Sequence, residues 1–118
     1  MKSVLIEMLQ TLNYPVFLQG TLNPDESYPA SFFTFWNPDT PEGAFYDNDA
    51  HLAEWRFNIF FYSIDPQLVE IVPEQARKLL KQKGFILNGK PHDIASGRDT
   101  HTGVTFSVTI TENYESED

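Results

Sequence analysis

The chain predicts an α+β fold: a mostly antiparallel sheet with two helices packed on one face. Three observations carry that reading. Apolar residues recur at helical spacing over 3–12 and over 66–83. They alternate with period two elsewhere, most cleanly in VTFSVTIT at 104–111. The order along the chain is helix, strands, helix, strands, which segregates helices from sheet.

The first helix is predicted over 3–12. Ser3 caps it, Val4, Leu5, Met8, Leu9 and Leu12 form one stripe, and Asn13 and Pro15 stop it. VFLQG at 16–20 is a short strand, and TLNPDESYP at 21–29 is a loop. ASFFTFWN at 30–37 is aromatic on both faces, which predicts a strand inside the sheet rather than at its edge. A long connection follows, with a short extended piece at Phe45 and Tyr46.

AEWRFNIFFYSIDP at 53–66 is a strand with an unusual second face. Trp55, Phe57, Ile59 and Phe61 alternate toward the core. Glu54, Arg56 and Asn58 begin a wet face, yet that face continues with Phe60 and Tyr62. This strand is expected to pair in a long hairpin with what precedes it.

Asp65-Pro66 starts the second helix, Asp as N-cap and Pro in the first turn. Leu68, Val72, Ala76, Leu79 and Leu80 form its buried stripe. Pro73 predicts a kink or restart, since it removes a backbone donor and crowds the carbonyl four residues back. Gly84 ends the helix in the left-handed C′ position, with Phe85 packing back on Leu80. Asn88-Gly89 predicts a hairpin turn between two short extended pieces, and SGRDTHTG a loop before the last strand. One domain covers 1–112, and 113–118 form an acidic, frayed tail.

Composition narrows the function classes. The 118 residues include ten Phe and carry a formal net charge of -9. The charge argues against sequence-independent binding of nucleic acid or of an anionic membrane, both of which need Lys and Arg. An aromatic surplus in so small a domain suits a partner surface. There is no cysteine, and thus no disulfide framework or thiolate chemistry. No signal peptide or membrane-length apolar run stands out, so a soluble intracellular product is expected.

Catalytic and metal patterns are weak. His92, Asp99 and His101 could be drawn as a metal site, but they sit in turn-rich sequence at a spacing that matches no zinc pattern. Asp47 and Asp49 alternate like calcium ligands, but Leu52 stands where an EF-hand needs Gly and Asn58 where it needs Glu. There is no phosphate loop and no nucleophile elbow. Charge placement is more informative. Four of the eight basic residues lie between 77 and 83, whereas 39–54 holds five acidic residues and no basic one. Each is ordinary alone, as a helix end and a wet loop. Together they suit a head-to-tail contact between copies, with Asp47 and Asp49 meeting Arg77, Lys78 and Lys81. Phe60 and Tyr62 are the aromatic candidates for the same subunit boundary, the alternative being packing within the chain.

YPASFFTFWN from Tyr28, YDNDAHLAEWRFNIFFYSIDPQLV from Tyr46 and LLKQKGFILNGKPHDIASGRDTHTGVTFSVTI from Leu79 resemble, in this order, small neck and tail-completion proteins of long-tailed phages of Gram-positive bacteria. Such proteins are often encoded in prophages, and this chain is similar to their tail-terminator group. The resemblance spans about 15–112. It implies an α+β fold and a structural virion protein rather than an enzyme, with no cofactor. It further implies a ring, commonly a hexamer, at the head-proximal end of the tail tube. Its partners would be its own copies, the major tail-tube protein and a head-connector or neck protein. It would reside in the virion after assembly in the host cytoplasm. No specific nucleic-acid binding is implied, although DNA would pass through the lumen, where acidic walls repel phosphates. It offers no catalytic motif to carry over, and DTHTG becomes a structural turn. The alternatives from other classes are an acidic inhibitor or DNA mimic, and a small metal-dependent enzyme.

Overall fold

The computed structural model describes residues 2–18, 29–37, 52–94 and 100–113. Helix α1 is Lys2–Gln10, strand β1 Val16–Leu18, β2 Ser31–Trp36, β3 Leu52–Ser63, helix α2 Pro66–Gln82, β4 Ile86–Ile94 and β5 Thr102–Asn113. The strands form one sheet in the order β1-β2-β3-β5-β4. Only the β1–β2 pair is parallel; β2–β3, β3–β5 and β5–β4 are antiparallel. The α+β class is as predicted, and β2 lies inside the sheet as its two aromatic faces require.

Both helices pack on one face. Leu5 and Leu9 of α1 and Val69, Val72, Ala76 and Leu80 of α2 form one core with Phe33, Phe35, Phe57, Ile59, Phe61, Val104, Phe106 and Val108. Trp55 lies at its margin, stacked on Phe57 with ring centroids 6.1 Å apart. Each buried Phe or Leu removes enough apolar area to be worth about 1.5–3 kcal/mol, so this face supplies most of the driving force.

The ends of α2 follow their local chemistry. The Gln67 amide donates to the Asp65 carboxylate at 2.9 Å, satisfying an orphan amide of the first turn. Ser63 prepares that start: the Asp65 amide donates to its Oγ, which also hydrogen-bonds the Ser31 hydroxyl at 2.9 Å. At the far end, the Phe85 amide donates to Leu80 O and the Gly84 amide to Lys81 O, with Gly84 at φ 102°. Those two bonds make a Schellman ending, and Phe85 is buried beside the helix it terminates.

Several expectations are corrected. Ser3 is not the cap of α1, which already includes Lys2, and Val4 is exposed rather than part of the buried stripe. No restart occurs at Pro73: α2 runs unbroken from Pro66 to Gln82, and the Pro73 ring is itself buried on its packed side. Asn88-Gly89 is not a hairpin turn. It lies within β4, where Asn88 opposes Ser107 and His92 opposes Thr105, so β4 carries two extra residues against β5. Gly89, at φ 80°, provides the left-handed conformation that this bulge needs. The last strand begins earlier than predicted, at Thr102 rather than Val104. Phe45 and Tyr46 lie outside the described residues.

Candidate functional site

The sheet's second face bears no helix or strand among the described residues. Register places Phe32, Thr34 and Trp36 of β2 on it beside Tyr62, Phe60 and Asn58 of β3. Thr105, Ser107 and Thr109 of β5 continue it, followed by Asn88 and Ile86 of β4. The face has two halves of different chemistry.

The polar half is a shallow groove of about 570 Å³ lined by Glu54, Arg56, Ile86, Asn88, Ser107 and Thr109. Its floor is tied across strands. Asn88 Nδ2 donates to Thr109 Oγ1 at 2.6 Å, and Ser107 Oγ donates to Asn58 Oδ1 at 2.7 Å. Ile86 is 61% exposed and Trp36 47% exposed, so two large apolar side chains flank this polar centre.

The aromatic half explains why the wet face of β3 ends in Phe60 and Tyr62. Their rings lie parallel within 4°, centroids 6.4 Å apart, both partly exposed. Tyr62 packs on Phe32 at 5.2 Å. Phe32 in turn meets Phe17 of β1 at 6.1 Å and His101 at 5.8 Å, and is only 2% exposed. Phe32 is thus the centre of a second, smaller apolar cluster that the main core does not include. The pair at 60 and 62 is neither fully core nor free: Tyr62 packs against its cross-strand partner Phe32, and Phe60 lies parallel to Tyr62 along β3.

His101 has a structural role. Its Nε2 lies 2.8 Å from Pro29 O, which can only accept, so Nε2 carries the proton. Nδ1 then accepts from the Thr100 hydroxyl at 2.9 Å. The Nε2 bond holds the start of β5 to the segment before β2, and with Nδ1 on Thr100 neither nitrogen is available to a metal in this arrangement. His92 is exposed on β4 opposite Thr105. Asp99 lies outside the described residues, and among the described ones no group of three or more His, Cys, Asp or Glu is placed to hold a metal.

Of the charged candidates, Arg77, Lys78 and Lys81 lie together on α2, whereas Asp47 and Asp49 lie outside the described residues. Arg77 is not a loose surface cation. Its guanidinium contacts both Glu74 carboxylate oxygens at 3.2 Å and donates to Gly89 O at 3.1 Å. It braces the β4 bulge against α2. Lys78 and Lys81 are exposed, as are Lys83 and Lys90.

Sequence reasoning missed Phe32's pivotal place, the Arg77 brace and the polar groove. One signal was available: Gly103 interrupts a strand rich in β-branched residues, and a glycine there marks close approach by a neighbour. No helix among the described residues is long and apolar enough to cross a membrane. No protein-family model matches the chain, and no curated protein matches it.

Proposed function

We propose that this chain is a structural virion subunit of the tail-terminator or head–tail joining type, which assembles as a ring at the head-proximal end of a tail tube. The observation that carries the reading is the second sheet face, with Phe60, Tyr62, Trp36 and Ile86 at its surface and no described helix or strand over it. Aromatic residues that stay partly exposed around a polar groove suit the core and rim of a protein–protein contact. The sequence resemblance supplies the setting. The net charge of -9 suits a ring through which DNA passes without sticking.

The test is size-exclusion chromatography with light scattering, followed by negative-stain imaging of the protein mixed with tail tubes. The expected result is a closed ring, free or at tube ends. A chain that stays monomeric both alone and in the presence of tubes overturns the proposal.

A further inference from the structure

Register sets out the polar half of the sheet's second face in rows. Trp36, Asn58, Ser107 and Asn88 stand side by side on β2, β3, β5 and β4. Arg56, Thr109 and Ile86 form the next row, and Glu54 lies one row further, opposite Thr111. Neighbouring strands are about 4.8 Å apart, so the first row runs about 14 Å across the sheet. The groove of about 570 Å³ lies over these rows, with Ile86 on its β4 side and Trp36 beyond Asn58 on β2. Sites for small ligands have volumes of about 300–1,000 Å³.

The amides here are held with a defined polarity. Asn88 Nδ2 is pinned on Thr109 Oγ1 at 2.6 Å, which leaves Asn88 Oδ1 to accept from a ligand. Asn58 Oδ1 is pinned by Ser107 Oγ at 2.7 Å, which leaves Asn58 Nδ2 to donate. Glu54 adds a charged acceptor to the groove lining and Arg56 a charged donor, so the two signs offset each other locally. The apolar core uses none of these groups, since it lies on the other face of the sheet.

We propose that this groove is a binding site for a neutral oligosaccharide. A sugar hydroxyl both donates and accepts, so neighbouring hydroxyls match a lining that alternates acceptors with donors. The C–H face of a pyranose ring suits the flat indole of Trp36, which is 47% exposed. Other ligand classes fit less well. An anion meets Glu54 and a chain of net charge -9, and a cation meets Arg56. An apolar ligand would bury Asn88 and Glu54 without partners. A peptide bound through its main chain needs a strand edge, whereas these groups lie on the face between edges. Glu54 is the single carboxylate lining the groove among the described residues, whereas glycoside hydrolysis uses two. The site therefore binds a glycan without cleaving it. This goes beyond the ring reading: a glycan here takes Trp36 and Ile86, and leaves Phe60 and Tyr62 to a subunit contact.

The experiment is isothermal titration calorimetry of the full chain with maltohexaose, cellohexaose and N-acetylchitohexaose, each to about 10 mM, with hexagalacturonate as the charged control. Expected is saturable binding of at least one neutral hexamer and a response to hexagalacturonate at least about tenfold weaker. Trp36→Ala and Asn88→Ala should each weaken binding at least about tenfold, with the circular-dichroism spectrum of the parent. Trp36→Tyr should restore most of the affinity, since it keeps a stacking ring. Ile71→Ser, an exposed change on α2 and so on the opposite side of the sheet, should bind as the parent does. No saturable heat with any neutral hexamer overturns the proposal, as does binding that Trp36→Ala leaves unchanged or that hexagalacturonate equals. If Trp36→Ala abolishes self-association in a parent that binds no glycan, the groove belongs to the subunit contact, and the ring reading stands without this site. Glycan binding by a chain that never forms rings would do the reverse.

Discussion

The ring of Tyr62 occupies the space that a side chain on Gly103 would need. A Cβ at Gly103 would lie 2.8 Å from both Cδ1 and Cε1 of Tyr62, and 3.1 Å from Cγ1 of Ile94. The two residues are register partners on β3 and β5. Gly103→Ala must therefore push the ring off Phe32 or bend the strand, which predicts a loss of about 1–3 kcal/mol, typical of overpacking. Urea denaturation checks the value. In a Tyr62→Ala background most of that cost should vanish, because the clash has been removed; an undiminished cost would place the strain elsewhere.

Gly84 presents the opposite case. Nothing lies within 4 Å of a Cβ built there, but its φ is +102°. Gly84→Ala should cost about 1–2 kcal/mol through backbone strain alone. Gly84→Asn should recover part of that, since Asn tolerates the left-handed region. Thermal denaturation of the two variants tests the order.

Phe60 and Tyr62 separate into different kinds of residue. Replacing both with Ser confounds folding with assembly, because Tyr62 packs on Phe32. Tyr62→Ser should destabilise by about 2 kcal/mol, and Phe60→Ser by about 1 kcal/mol or less. Phe60→Ser is the cleaner assembly probe. It should leave the unfolding transition nearly in place while reducing ring formation, read by light scattering.

The first turn of α2 is capped by one side chain, Asp65. Asp65→Ala removes the 2.9 Å acceptor of the Gln67 amide and should cost about 1 kcal/mol. Asp65→Ser or Asp65→Asn should be close to neutral, as either retains a capping oxygen. Equal losses in all three would show that the carboxylate charge matters and not the cap.

What the sequence made legible was mostly local. The α2 boundaries were readable because Asp65-Pro66 and Gly84-Phe85 each specify an end through neighbours in the chain. The inward alternation of Val104, Phe106 and Val108 was readable because period two needs no knowledge of the partner strand. The Asn88-Gly89 pair misled for a definite reason: a glycine at positive φ serves a turn and a bulge equally, and only the register against Ser107 and Thr105 distinguishes them. Pro73 does not divide α2, which runs from Pro66 to Gln82 with Pro73 among its buried residues. In the candidate site, Phe60 and Tyr62 stood out as aromatics on a wet face. Their unequal attachment did not, because it depends on Phe32, His101 and Gly103 arriving from two other parts of the chain. The Arg77–Gly89 brace was hidden for the same reason.

The central claim is that this chain forms a ring on a tail tube, and the most direct measurement is electron microscopy of tail tubes assembled with and without it. The account predicts a ring at one end of each tube and tubes of defined length when the protein is present. Tubes of unchanged length distribution, with no added density at either end, would contradict it.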